Sequence, residues 1–300
     1  MPSSSDLQIQ PVENAPLQGI ALMIVAFTTF AGLDTTAKYL VQSYPTEQVI
    51  WARYAGHMIF ALIIFWPRNG TRILRSRSLG TQFLRSLLLF GATSCNFIAV
   101  RYLQLAETAA IFFSTPLMVA LFSVPILGER IGPRRWTAIF VGFFGVMIVI
   151  RPDVGLIHWA AAFSLASATA AALYQITTRK LAGVDPAAVT QFYTALIGTL
   201  VITPFVPFVW QSPDLTGWAL MLLLGALGGI GHWLLISAHR LAPAPILAPF
   251  NYTQIVPMVL LGFLVFGDLP DVWTIVGAAV VLLSGLYLLY RERKVKGVVV

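Results

Sequence analysis

Two pairs of ionisable residues, each with members four positions apart, lie inside long apolar stretches of the sequence: Asp34 with Lys38, and Arg53 with His57. Residues four apart lie on one face of a helix. Ionisable groups inside an apolar span are expensive to bury, so each pair is a candidate for function. Asp34 and Lys38 can neutralise each other. Alternatively, Lys38 can hold a substrate carboxylate, or Asp34 can carry a coupling proton.

The Arg53 guanidinium is a candidate for binding a carboxylate, because its planar N–H groups match two carboxylate oxygens. The same side chain can instead neutralise Asp34 or Glu47 across a helix interface. Arg85 lies near the end of another apolar segment and is expected to extend its charge to the membrane surface. These interpretations stay open at the level of sequence.

Further polar residues within the apolar segments are candidates for lining a substrate cavity: Asn96, Tyr174, Gln175, His232, Trp233, Asn251, Tyr252 and Gln254. The last three follow Pro243, Pro245 and Pro249 and precede Pro257. A proline removes a backbone donor and frees a carbonyl, which lipid cannot satisfy. The prolines therefore predict a kinked helix beside a hydrated path. For any single polar residue, the alternative is a hydrogen bond between helices.

The composition indicates that these residues sit in a membrane protein. The chain has 300 residues, of which 58% are hydrophobic and 10% are charged, whereas about a quarter of the residues of a soluble domain are charged. Spanning helices need about 20 mainly apolar residues. Ten such segments occur, at 18–43, 46–66, 80–100, 106–127, 133–150, 156–180, 186–209, 216–238, 245–266 and 271–290. We predict an all-α integral membrane protein with ten transmembrane helices and no soluble domain.

The basic residues predict the orientation of these helices. The net charge is +7, but Lys and Arg occur in short clusters beside apolar segments, as in 68–77 and 291–300, which argues against a nucleic-acid partner. The loops on the other side of the membrane carry only two basic residues, Arg101 and Arg151. Both termini are therefore predicted to be cytoplasmic, in a bacterial inner membrane. Residues 1–16 hold no Lys or Arg and are predicted to be a mobile tail, not a signal peptide.

An internal repeat divides the chain. Lys38-Tyr39-Leu40 recurs as Arg179-Lys180-Leu181, and Gly128-Glu129 recurs as Gly267-Asp268. We predict a first five-helix repeat at 17–152, a second at 153–290, and a basic tail at 291–300. Because five is odd, the two repeats must insert with opposite orientation, around a central cavity.

The segment 128–136, Gly-Glu-Arg-Ile-Gly-Pro-Arg-Arg-Trp, leads into Gly142 and Gly145. This pattern resembles the end of the first half in EamA-type members of the drug/metabolite transporter superfamily. Gly267-Asp268, followed by Gly277, resembles the second copy, with aspartate where glutamate is usual. Within the superfamily, the chain most resembles YddG-type exporters of aromatic amino acids. The resemblance implies a ten-helix carrier that exports amino acids and related metabolites.

We therefore predict a secondary transporter, not an enzyme, that exports small zwitterionic metabolites by alternating access. Amino acids are the expected cargo, with aromatic and hydrophobic ones favoured by the resemblance. The charged residues within the spans are few and of both signs, which suits a zwitterionic cargo. No cofactor, metal or obligate protein partner is expected beyond the lipid bilayer. The alternatives are a carrier of nucleotide sugars, purines or cations and, less favoured, an integral membrane enzyme.

Overall fold

The structure is a computed structural model that describes residues 15–127, 132–150, 159–181, 184–242 and 247–296. The described residues are mostly helical, and no strand occurs among them. Most of the predicted N-terminal tail, the Gly128-Glu129 motif, and Pro243 and Pro245 lie outside the described residues.

The described part of the first half forms six α-helices that follow its predicted segments, and a short 3₁₀ helix (Gly70–Leu74) after the second of them. The six α-helices are α1 (Pro16–Ser43), α2 (Thr46–Asn69), α3 (Leu79–Tyr102), α4 (Leu105–Phe112), α5 (Thr115–Leu127) and α6 (Pro133–Ile150). Pro45 is the N-cap of α2, where its fixed φ suits an extended residue ahead of a helix. The break between α4 and α5 comes just ahead of Pro116, and Thr115 Oγ1 donates to the Phe112 carbonyl there at 2.6 Å.

The second half is less regular. It contains α7 (Trp159–Leu181), α8 (Ala187–Ile202), α9 (Val206–Val209), α10 (Leu215–Leu241), a 3₁₀ helix (Ala248–Gln254), α11 (Ile255–Leu261), a π-helical turn (Gly262–Phe266) and α12 (Val272–Lys296). The predicted ninth segment thus changes helix type twice along its length. Pro257 lies within this segment and has no N–H group for a regular helical ladder. The expected irregular helix is present.

Seven helical segments of the described chain are long and apolar enough to cross a membrane. These are α1, α2, α3, α4 with α5, α6, α10 and α12. The other three predicted spans correspond to α7, to α8 with α9, and to the mixed helix 248–266. With 23 residues, α7 reaches about 35 Å, enough to cross the hydrocarbon core. The prediction of an all-α membrane protein is confirmed.

The packing of the helices follows the repeat. α1 packs against α10 as α3 packs against α7, while α2 packs on α8 and α6 packs on α12. Each predicted span of the first half has a counterpart five spans later in the second half. When every span is replaced by its counterpart, the same four packing pairs result. A Cβ atom added to Gly277 would lie 2.7 Å from the Gly145 carbonyl oxygen. The motif glycines therefore serve the close contact of α6 with α12.

Large apolar side chains cover the outside of the bundle. Phe140, Phe144, Leu222 and Leu283 are all exposed, on three different helices. A soluble domain would bury such residues, so this surface is suited to lipid. Several polar and charged side chains within the spans, among them Lys38, Arg53 and Arg85, are by contrast buried.

Candidate substrate-binding site

The carboxylate of Asp34, midway along α1, is held by amides from two other segments. Asn96 Nδ2 of α3 donates to Asp34 Oδ1 at 2.9 Å, and Gln254 Nε2 of the 3₁₀ helix donates to Oδ2 at 3.3 Å. Three residues that the sequence offered as separate candidates therefore form one cluster. The cluster joins the first half of the chain to the second.

The 3₁₀ helix separates the polar residues of the ninth segment onto different faces. With three residues per turn, Asn251 and Gln254 share a face while Tyr252 is rotated by about 120°. Tyr252 packs edge-on against Phe113, with ring centroids 5.2 Å apart, and its hydroxyl lies against Gly285. Tyr252 thus packs in the core and not beside Asp34, and its predicted role as a wall of the cavity stays a prediction. Asn251 Oδ1 is buried without a hydrogen-bond partner.

Lys38 pairs with a residue of the second half and not with Asp34. Its Nζ donates to Asp268 Oδ2 at 2.8 Å and to the Leu103 carbonyl at 3.1 Å, and it lies 4.7 Å from the centroid of the Phe266 ring. The interpretation of Asp34 and Lys38 as a self-neutralised pair is therefore wrong. The Lys38–Asp268 pair borders a cavity of about 470 Å³, which Gln42, Arg101, Tyr102, Gln104 and Val265 also line.

Arg53 is a buried cation without a carboxylate in contact. Its side chain is 4% exposed, and its Nη2 donates to His232 Nε2 at 3.3 Å. Its guanidinium lies over the Tyr54 ring, 4.4 Å from the centroid. Nε and Nη1 have no hydrogen-bond partner. Of the alternatives left open by the sequence, direct pairing of Arg53 with Asp34 or Glu47 does not occur among the described salt bridges.

Two imidazoles stack beside Arg53. The rings of His57 and His232 are nearly parallel, at 5°, with centroids 5.7 Å apart, and both are buried. Gln191 lies close to His57, but neither His57 ring nitrogen nor Gln191 Nε2 makes a hydrogen bond of regular geometry. Unsatisfied buried donors and acceptors are costly. Their concentration here indicates a place for a polar ligand.

Arg85 is buried, contrary to the expectation that its charge reaches the membrane surface. It is 2% exposed. Nε donates to Thr178 at 2.8 Å, Nη1 donates to Thr194 at 2.7 Å, and Nη2 donates to the Tyr174 hydroxyl at 2.5 Å. Tyr174 is therefore a partner of Arg85, not a neighbour of Asp34.

Two predicted cavity residues do not reach the interior cluster. Trp233 is 44% exposed although its neighbour His232 is buried, since adjacent residues on a helix point about 100° apart. Gln175 is also exposed. It is exposed although Ala168 and Ala171, on the same face of α7, are buried. Neither residue belongs to the Asp34 cluster, and the predictions that Trp233 and Gln175 line a substrate cavity stay predictions.

The sequence contained a signal for Arg85 that the prediction missed. Polar residues recur along α3 at helical spacing, in the order Gln82, Arg85, Ser86, Thr93 and Asn96. Such a stripe marks one face of a helix, and all but the half-buried Asn96 are buried. An arginine on a buried polar stripe faces the protein, because a lipid-facing stripe would be apolar.

At the end of the bundle opposite the Lys38–Asp268 pair, Asp185 connects the two halves outside the spans. It accepts hydrogen bonds from Ser76 Oγ at 2.5 Å, the Arg77 backbone N–H at 2.8 Å and Gln82 Nε2 at 2.9 Å. Partial burial tends to raise the pKa of Asp185, but these hydrogen bonds and the charge of Arg77 outweigh it and lower the pKa. We call the contacts of Asp185 the Asp185 latch.

A helical membrane bundle with a buried polar cluster between two repeats is the architecture of a secondary transporter. The chain belongs to the EamA-like transporter family, whose model matches residues 17–151 and 158–291. It is a multi-pass membrane transporter of small metabolites.

Its relatives differ in cargo. The chain is 29% identical to a riboflavin transporter of Vibrio cholerae, over 94% of this chain and 96% of the relative. It is 25% identical to an S-adenosylmethionine uptake transporter of Rickettsia bellii, over 92% and 94%. It is 26% identical to the pseudopaline exporter CntI of Pseudomonas aeruginosa, over 89% and 94%. A solved crystal structure that is 20% identical aligns with a TM-score of 0.63, over 93% of this chain and 98% of that one, and supports the fold alone.

Proposed function

We propose that this transporter carries metabolites that contain an α-amino acid group, bound between Asp34 and Arg53. The observation that carries the proposal is a buried guanidinium with two unpartnered nitrogens, Nε and Nη1, in electrostatic reach of the Asp34 carboxylate. An α-amino acid offers a carboxylate to the first and an ammonium to the second. Each buried charge then gains an opposite one.

The fit also follows from hydrogen-bonding capacity. A guanidinium binds a carboxylate with two parallel N–H bonds, which a lysine ammonium cannot reproduce. The Asp34 carboxylate already accepts from Asn96 and Gln254, and its oxygens have further lone pairs for a substrate ammonium. The site thus complements a zwitterion more closely than a lipophilic cation or a neutral ring system.

Two contacts between the halves supply the gates that alternating access requires. The Lys38–Asp268 pair joins the halves at the end of the bundle where α1 ends, and the Asp185 latch joins them at the opposite end. Opening either contact while the other stays closed exposes the Asp34–Arg53 region to one side of the membrane. We propose that the face bearing the latch is cytoplasmic.

The names of the relatives agree only in part with this cargo. S-adenosylmethionine contains an α-amino acid group, whereas riboflavin does not. The earlier preference for aromatic amino acids rested on resemblance, and these relatives are named for other cargoes, so that preference is not part of the proposal. Because relatives are named for uptake and for export, the proposal concerns the cargo and not the direction of net flux.

The proposal is tested by counterflow into proteoliposomes that contain the purified full chain. The panel is labelled amino acids, S-adenosylmethionine, riboflavin and a nucleotide sugar. We expect amino-acid-containing compounds to exchange. Arg53→Gln and Asp34→Asn should each reduce that exchange by roughly tenfold or more, since each leaves one charge of the bound zwitterion unpaired.

The matched control is Arg75→Gln, which removes an exposed arginine outside the site and should leave exchange unchanged. Exchange of riboflavin or the nucleotide sugar, with none of any amino-acid-containing compound, would refute the proposed cargo.

A further inference from the structure

We propose that the amino-acid cargo carries a second acidic group, a carboxylate or a phosphate, which binds at Arg85. This inference rests on the proposed function, because it takes the α-amino acid group to be bound between Asp34 and Arg53. It adds the chemistry of the rest of the molecule. Arg85 would then select the cargo by the charge of its side chain.

The first support is the balance of buried charge. Within the described interior, Lys38 pairs with Asp268, and Arg53 is offset by Asp34 in its electrostatic reach. Arg85, which lies deeper still, has hydroxyl groups as its hydrogen-bond partners and no described salt bridge. A buried cation with only neutral partners is destabilising, and an acidic ligand would offset it.

The neighbouring acid at the latch does not supply that charge. Asp185 is bound by Ser76, Arg77 and Gln82, and the arginine that acts on it electrostatically is Arg77. Gln82 stands between Asp185 and the hydroxyl groups around Arg85, since it also donates to Thr190 at 3.1 Å. Among the described residues no acid is left to balance Arg85, and we propose that the cargo supplies one.

The second support is geometric. The side chains that contact the two sites share one helix: Thr194, which accepts from Arg85, lies three residues along α8 from Gln191, which neighbours His57. The charges of Arg53 and Arg85 both act on the stacked His57 and His232 imidazoles. His57 lies one helical turn, ~5 Å, from Arg53 along α2. A cargo that reaches both guanidiniums must extend past the imidazoles. The unpartnered ring nitrogens of His57 and the Gln191 amide then lie beside its middle portion.

The third support is the capacity of Arg85 to accept such a group. Three of its five N–H groups are used by Thr178, Thr194 and Tyr174, which leaves two for a ligand. The centroid of the Tyr174 ring lies 4.5 Å from the guanidinium carbon of Arg85, and this contact restricts the orientation of the guanidinium plane. A guanidinium that neighbouring groups hold in place loses little entropy when it binds an acid.

A structural role makes a different prediction. The hydrogen bonds of Arg85 connect α3 to α7 and α8. If Arg85 does not contact the cargo, its role is only to stabilise this helix packing. In that case, substitution of Arg85 slows or unfolds the transporter for every cargo alike. Removal of a binding group changes the preference between acidic and neutral cargoes, so selectivity separates the two roles.

The test is competition in counterflow with matched pairs of amino acids, using the reconstituted full chain. 2-Aminopimelate is compared with norleucine for the carboxylate, and O-phosphohomoserine with homoserine for the phosphate. Wild type should prefer the acidic member of at least one pair by roughly tenfold. Arg85→Gln should reduce that preference to below about threefold while neutral exchange stays within about twofold, and Arg85→Lys should fall between the two. Arg75→Gln should keep the full preference.

Thr194→Val keeps the proposal testable if Arg85→Gln fails to fold. It removes one neutral partner of Arg85 and leaves the charge, so the acidic preference should persist. Equal loss of acidic and neutral exchange in either folded variant, or no acidic preference in wild type, would overturn the inference. If no amino acid exchanges at all, the proposed function fails. If neutral amino acids exchange in an Arg53-dependent manner without acidic preference, only this inference fails.

Discussion

Lys38 Nζ lies 2.8 Å from Asp268 Oδ2, and this ion pair connects two residues that are 230 positions apart in the sequence. The Asp268 side chain is partly open, at 29%, while that of Lys38 is 7% exposed. Both charges border the cavity at the end of α1. The pair therefore links the two halves at this end of the bundle while it stays partly accessible to water, which suits the proposed gate.

Lys38→Met and Asp268→Asn should each slow counterflow by roughly three- to tenfold, because the closed state at this end loses its ion pair. A Lys38→Asp, Asp268→Lys exchange should restore only part of the rate. Lys38 also donates to the Leu103 carbonyl, which an aspartate at that position would repel. Full restoration by the exchange, or no effect of either single change, would show that the pair is not a gate.

Gln254→Ala should weaken substrate binding by about fivefold, since it removes one hydrogen bond, about 1 kcal/mol, from the Asp34 carboxylate. Gln175→Ala is the matched control, with the same substitution at an exposed position of α7, and should change binding by less than about twofold. Binding is measured by competition in counterflow. Equal effects of the two substitutions would place the site elsewhere.

Tyr252→Phe should preserve or raise thermal stability, whereas Tyr252→Ala should lower it. The buried hydroxyl has no hydrogen-bond partner, so its removal relieves an unsatisfied group. The ring packs against Phe113, and truncation of a buried aromatic side chain typically costs about 3–5 kcal/mol. The melting temperature in detergent measures both effects. A large loss of transport in a stable Tyr252→Phe protein would return this hydroxyl to the substrate site.

Asp185→Asn should weaken the latch at neutral pH, and this effect should shrink progressively as the pH falls below about 4. The pKa of Asp185 is lowered in the folded protein, so its contribution is present above the unfolded value near 3.9 and is lost as the pH falls through the lowered pKa. The difference in thermal stability between wild type and Asp185→Asn should therefore be constant from about pH 5 to 8 and shrink in stronger acid. A difference that instead shrinks between pH 6 and 8 would contradict the assignment.

A cysteine at position 75 should react only from the cytoplasm, and one at position 42 only from outside. The distribution of Lys and Arg predicts this orientation. Both variants are made on a Cys95→Ala background, because Cys95 is the single native cysteine. Labelling of intact cells and inverted vesicles with an impermeant maleimide distinguishes the faces. The reverse pattern would invert the proposed topology.

The number and order of the apolar segments were predictable from sequence because lipid imposes a local rule on each span. About 20 apolar residues suffice for a helix to cross, whatever its neighbours are. The internal repeat was visible for the same reason, since Lys38-Tyr39-Leu40 and Arg179-Lys180-Leu181 mark corresponding helix ends. The irregular ninth segment followed from its prolines, which act on their own backbone. Asp34, Asn96 and Gln254 were each identified as buried polar groups, although not as partners.

Only the tertiary structure decided which polar groups meet. Asp34 and Lys38 share a helix face, yet Lys38 binds Asp268 because the packing of the second half places that carboxylate beside it. Tyr252 and Gln254 are two residues apart, but a 3₁₀ helix, which the sequence did not predict, sends one into the core and the other to Asp34. Periodicity describes the faces of a single helix. The partner across an interface depends on how distant helices are rotated and spaced, which no local pattern encodes.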